Sequence, residues 1–255
     1  MKVLKVLKNK PIILLIAAAI LLLASTAGST TAALNYYSEN YMAEVTVSNI
    51  GVTLKENDKE ISKRNYLEAD KWDEVSGKLL TDMLAEGEEL ILGKDYEEVL
   101  TVENSGAIDV YVRVILTKSW KDAQGMKDPY LSPELIELGL VTSDNGWIVD
   151  ENASTAERTV LYYTKAVPTG ESTPAFTNEF GIDPSVGTRM IEHVKTELVD
   201  GQELKTVTYT HEYDGYTFCI EAEVDAVQTH NAADAIRSAW GVDVNVTADK
   251  SLELQ

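Results

Sequence analysis

Ile108-Asp109-Val110-Tyr111-Val112-Arg113-Val114-Ile115-Leu116-Thr117-Lys118 is the stretch that decides how this chain folds. Val110, Val112, Val114 and Leu116 recur at every second position, with Tyr111, Arg113, Ile115 and Thr117 between them. A helix, at 3.6 residues per turn, would scatter both sets around its circumference. The stretch therefore reads as a strand with its valine face on a core. A slip of one residue would carry Arg113 inside, so the pairing register is strongly specified.

Working outward, Tyr96-Glu97-Glu98-Val99-Leu100-Thr101-Val102 is a second strand, and the turn residues Glu103-Asn104-Ser105-Gly106 between the two suggest a hairpin. Further strands are expected at Val52-Thr53-Leu54, Thr159 to Val167, Met190 to Leu198 and Lys205 to Glu212, the last two joined across Val199-Asp200-Gly201-Gln202, where Asp-Gly signals a type I′ turn. From Tyr216 to Gln228, Phe218, Ile220, Ala222, Val224 and Ala226 alternate with Cys219, Glu221, Glu223 and Asp225, which sets Cys219 on an acidic face. Ser132-Pro133-Glu134 opens a short helix ending before Gly139, and Asn231 caps an alanine-rich helix that runs to Trp240 and stops at Gly241. Residues 55–93 are charged and read as a loop-rich insertion, with a short helix around Leu67 to Val75. Many short strands with antiparallel turns and two brief helices predict an all-β fold, a jelly-roll-like antiparallel β-sandwich with a few decorating helices, formed as one domain over residues 33–255.

The first 32 residues read as a signal peptide. Lys2, Lys5, Lys8 and Lys10 precede an apolar run from Pro11 to Ala24, which is short for a ~30 Å hydrocarbon core, and small residues follow. Cleavage is expected between Ala32 and Ala33. The whole chain carries a formal charge of −20; without the four lysines, 18 basic residues face 42 acidic ones. Such a field repels nucleic acid and anionic lipid and favours solubility, so neither partner is expected, nor any membrane association after cleavage. With Cys219 as the sole cysteine, no internal disulfide can form, and the fold must rest on burial. The last residues, Ser251 to Gln255, are neither an apolar tail nor a basic stop, so a released protein is expected.

Several segments together resemble the TasA/camelysin family of exported Gram-positive proteins, whose signals are processed by a SipW-type signal peptidase. They are Thr31-Ala32-Ala33-Leu34-Asn35, Val102 to Val114, Gly170-Glu171-Ser172-Thr173-Pro174-Ala175-Phe176, and Ala226-Val227-Gln228 followed by Ala239-Trp240-Gly241. The resemblance implies a jelly-roll domain and a secreted protein of the cell surface or biofilm matrix that self-associates into fibres or joins other matrix proteins. It also suggests a role for the segment Ala33 to Val47: added as a strand to the open sheet edge of the next subunit, it would bury Tyr36, Tyr41, Val45 and Val47. The same segment fits equally as the first strand of its own sandwich.

Chemistry finds little footing. The camelysin branch is associated with metallopeptidase activity, but His211-Glu212 is followed by Tyr213-Asp214-Gly215, which lacks the second histidine of a His-Glu-x-x-His zinc motif. His193 and His230 have no ligand spacing. Glu88-Glu89, Glu97-Glu98 and the Glu221-Glu223-Asp225 row are acidic without a cleft to place them, and neither a calcium loop nor a nucleophile elbow occurs. No cofactor, metal or catalytic residue is assigned. The expected role is structural, with a monomeric cell-surface binding module as the alternative and a metallopeptidase a more distant one.

Overall fold

The computed structural model describes residues 49–67, 71–199 and 202–255; the strands traced there belong to one unit, Val47–Gln255. The decisive strand is β6 (Val110–Lys121), the centre of a back sheet ordered β13-β6-β9-β8, with β8 at Trp147–Val149, β9 at Arg158–Tyr163 and β13 at Thr217–Gln228. β13 pairs with β6 along all twelve residues, from Thr217 opposite Lys121 to Gln228 opposite Val110. Facing it is a front sheet ordered β3-β2-β1-β5, made of β1 (Gly51–Glu56), β2 (Lys59–Tyr66), β3 (Trp72–Val75) and β5 (Leu100–Glu103). A smaller sheet of β4 (Tyr96–Glu97), β10 (Thr177–Ile182) and β7 (Ile136–Leu140) adjoins β5, with the Phe176 and Thr173 amides donating to the Leu100 and Val102 carbonyls at 3.0 and 2.8 Å. All named pairings are antiparallel, and the fold is the all-β sandwich expected.

The main core lies between the sheets. Val52, Leu54, Leu100 and Val102 of the front sheet meet Val110, Val112, Val114, Leu116, Leu161 and Trp147 of the back sheet, with Phe176 completing the layer. The second face of β6, expected to be the outer one, is buried too. Tyr111, Ile115, Val160 and Tyr162 are covered by helix α1 (Ala232–Trp240) and the small hairpin of β14 (Val244–Val246) and β15 (Leu252–Leu254), through Ile236, Trp240, Val244 and Leu252. The back sheet is thus the middle layer of three. That explains why β6 reads apolar on both alternating sets, and Arg113 stays there only with partners: Nη2 and Nε lie 2.5 and 2.9 Å from Oδ2 of Asp225, directly across the ladder, and the guanidinium sits 5.3 Å from the Trp240 ring.

Five local expectations are corrected. β5 and β6 form no hairpin; they lie in opposite sheets, because buried Asn104 builds a wider corner. Its Nδ2 donates to the carbonyls of Ile108 and Val167, both at 2.8 Å, and its Oδ1 accepts from the Gly106 amide at 3.0 Å. The helix expected around Leu67 to Val75 is replaced by β3 at Trp72–Val75, where Trp72 packs edge-on to Tyr66 and beneath the Arg64 guanidinium. Residues 55–93, expected to be a loop-rich insertion, supply two strands of the front sheet before becoming turns. The helix opened by Ser132 is a single 3-10 turn, Pro133–Leu135, after which the chain continues as β7 through Gly139, where a Cβ would come within 2.4 Å of Asn178 Oδ1 and Glu179 Cγ. Gly139 serves close strand packing, not helix termination. At α1 the position is right and Gly241 closes it at φ 71°, but Asn231 adopts a left-handed conformation without a side-chain cap.

Candidate functional site

Two surfaces stand out from the sandwich. The first is the hairpin of β11 (Met190–Val199) and β12 (Gln202–His211), ten residues per strand, paired from Met190 opposite His211 to Val199 opposite Gln202. The expected pairing is present, while the Asp200-Gly201 turn lies outside the described residues. Every residue of both strands is exposed, and the pair forms a sheet of its own, a ribbon about 33 Å long at the usual rise per residue. Met190, Val194, Leu198, Val207 and Tyr209 lie on one face, with Leu198 73% and Tyr209 58% exposed; Ile191, Val199 and Leu204 lie on the other. Two-stranded ribbons in water are marginal by themselves. This one presents apolar side chains on both faces and, among the described residues, pairs with no further strand on either edge.

The second surface is the outer edge of β13. β13 ends the order of the back sheet and pairs with β6 alone, so the edge of a twelve-residue strand is open among the described residues. Beside it runs a groove of about 620 Å³ between Phe218, Ile220 and Ala222 of β13 and Leu54, Leu79 and Leu80 of the front sheet and its following turn. Ser62, Ser76, Lys78 and Glu221 line the groove as well, so its apolar floor has a polar rim, and an open strand edge along such a groove is a geometry that accepts an added strand.

The roof of that groove is held by an unusual pair. Glu56, at the end of β1, accepts from the Leu80 amide at 2.6 Å, and Glu98, between β4 and β5, shares a hydrogen bond with Glu56. Both carboxyls are buried. Burial first, and then the Glu56 carboxylate, push Glu98 up from about 4.5 to about 8, so at neutral pH it is the proton donor of the pair. Leu80 itself is held at φ 62°, a left-handed conformation costly for a leucine and maintained by that hydrogen bond. The turn that forms one wall of the groove is therefore tied to Glu56 and, through the shared hydrogen bond, to Glu98.

The cleavage residues Ala32 and Ala33 and the assembly residues Tyr36, Tyr41, Val45 and Val47 lie outside the described residues. The histidines are not brought together: His193 and His211 sit on opposite faces of the ribbon, with His193 Nε2 2.9 Å from Thr210 Oγ1, and His230 precedes α1. Among the described residues no three His, Cys, Asp or Glu side chains cluster as metal ligands do, and no helix is long and apolar enough to cross a membrane. Cys219 is a free thiol on the predicted acidic face, 3.5 Å from Glu221 Oε1.

Sequence reasoning finds the hairpin but misses its exposure. The signal is there: on β13 one alternating set is apolar from Phe218 to Ala226, whereas each set on β11 and β12 mixes apolar with charged or threonine residues, so neither face is built for a core. Compared with protein-family models, curated proteins and solved structures, the chain finds no match.

Proposed function

We propose that this is a secreted, acidic structural protein of a bacterial cell surface or biofilm matrix, assembled by strand addition and working without catalysis. The signal-like N-terminus and the resemblance to TasA-like proteins suggest the setting. The observation that carries the assembly is the open β13 edge beside its apolar groove. The donor is the segment from Ala33 to Val47, released by cleavage after Ala32. Its backbone would satisfy the free edge, and Tyr36, Tyr41, Val45 and Val47 would supply side chains to the groove. Because donor and acceptor are different surfaces, each subunit offers one of each and the contact propagates head to tail.

The test is negative-stain electron microscopy of the chain from Ala33 beside one lacking 33–47. Fibres from the first, with a folded monomer from the second, are the expected result. A monomeric first form with an unfolded second would place the segment in its own sandwich and overturn the reading.

A further inference from the structure

We propose that the β11–β12 ribbon is a two-fold dimerisation arm, pairing along β12 with the same strand of a second copy. The inference is independent of the N-terminal strand and uses neither the β13 edge nor its groove.

The phase of the ladder decides which groups are free. The Glu212 amide donates to the Arg189 carbonyl at 3.0 Å, one step beyond the Met190–His211 pair. In an antiparallel ladder hydrogen-bonded and non-hydrogen-bonded pairs alternate, so Ile191–Thr210 and every second pair after it exchange both N–H···O=C hydrogen bonds. The residues between, Glu203, Lys205, Val207 and Tyr209 of β12, turn their N–H and C=O outward to the edge left open among the described residues; His211 has the same phase, but its carbonyl accepts from the Asp214 amide at 3.3 Å in the turn beyond. Among the described residues no strand covers that edge, and its charged positions, Glu203 and Lys205, lie in the first half of the strand. It has no proline, glycine or bulge, and from Thr206 to Thr210 it reads Thr-Val-Thr-Tyr-Thr, uncharged and high in strand preference.

Charge then selects the partner and the register. Antiparallel pairing of two β12 strands about Val207 sets Val207 opposite its own copy, Lys205 opposite Tyr209, and Glu203 opposite His211, each unlike pair occurring twice. Val207 and the Lys205–Tyr209 pairs are outward-facing positions with free peptide groups, so each forms a complete hydrogen-bonded pair, while at Glu203–His211 the His211 carbonyl is already taken by the Asp214 amide and the side chains carry the contact. Lys205 meets an aromatic ring and Glu203 an imidazole, both favourable neighbours. Moving the axis to Thr208 would set Lys205 against His211, and moving it to Thr206 would lose the Glu203–His211 pairs. The free edge of β11 is poorer: centred on Val194 it places His193 beside Lys195 of the other copy. A second copy of this chain is therefore the partner that the edge fits. The product is a four-stranded sheet of two ribbons, closed by its two-fold axis.

Cysteine trapping tests this on the chain from Ala33, in a Cys219→Ser background that removes the native thiol. Hydrogen-bonded antiparallel partners stand about 5.5 Å apart at Cα, within the span of a disulfide. Val207→Cys is expected to give a covalent dimer on a non-reducing denaturing gel after mild oxidation, and Val194→Cys, on the opposite free edge, is not. Because the bond is read after denaturation, fibres built through the N-terminus neither create nor hide it. In sedimentation equilibrium, Val207→Lys should weaken the dimer roughly tenfold or more, by setting two ammonium groups face to face. Trapping by Val194→Cys in place of Val207→Cys would overturn the β12 pairing, and no trapping by either variant, or a wild-type chain without ribbon dimers, would overturn the arm altogether.

Discussion

Glu98 shows how much one buried proton can carry. Its folded pKa of about 8 lies above its ordinary value near 4.5, so between those pH values the native state holds a proton that the unfolded chain has lost. Stability from this group is complete below about pH 4.5, declines as pH rises, and levels off above about 8. A tenfold difference in proton affinity between the folded and unfolded states is worth about 1.4 kcal/mol, which puts the ceiling on the order of 5 kcal/mol over the whole window. Glu98→Gln keeps a donor for Glu56 and cannot ionise. Thermal melts should show the parent losing several degrees between pH 5.5 and 8.5 relative to this variant, and parallel curves would refute the assignment. None of this is legible in Glu97-Glu98, which reads as two solvated acids; only the fold brings Glu98 against Glu56, from a different strand of the chain. Asn104 is a similar case. In the sequence it reads as a turn residue, but its three hydrogen bonds to backbone, one of them as far away as Val167, make the turn a crossing between sheets.

Among the elements, strands with one clean alternation are legible in full and those with two apolar sets only in part. The alternation of β13 gives its orientation directly. β6 gives its period but not its second neighbour, because an amphipathic helix near the C-terminus carries no mark of which sheet it will cover. The helix is energetically substantial. Ile236 is fully buried against Tyr111, Ile115 and Tyr162, and Ile236→Ala should cost about 2–4 kcal/mol in denaturant unfolding, by lost transfer energy and a residual cavity. A loss under about 1 kcal/mol would mean that α1 is only loosely seated on the back sheet. β7 and the 3-10 turn before it escape the sequence for a different reason: the Ser-Pro-Glu start signal is local, while the β10 strand that claims Ile136–Leu140 lies far along the chain, at Thr177–Ile182.

For the whole molecule, charge opposes assembly. With 42 acidic residues against 22 basic ones, like subunits repel until salt or divalent cations screen them. Fibre growth and ribbon dimerisation should both strengthen as sodium chloride is raised from about 10 to 150 mM, over which the screening length falls from about 30 to 8 Å; light scattering that falls over this range would contradict self-association as the working state. The two proposed contacts also differ in kind. Strand addition propagates and the ribbon contact closes, so together they give filaments joined in pairs.

A fibre built on the β13 edge would carry tension in a particular way. A donor strand lying along β13 transmits a pull parallel to the strands, into the twelve-residue ladder between β13 and β6 and from there into a sheet clamped between two cores. Loaded in shear, the hydrogen bonds of that ladder share the force and must break together, whereas a hairpin pulled from its open end unzips one pair at a time. The longest pairing among the described residues is thereby the one placed to bear mechanical load.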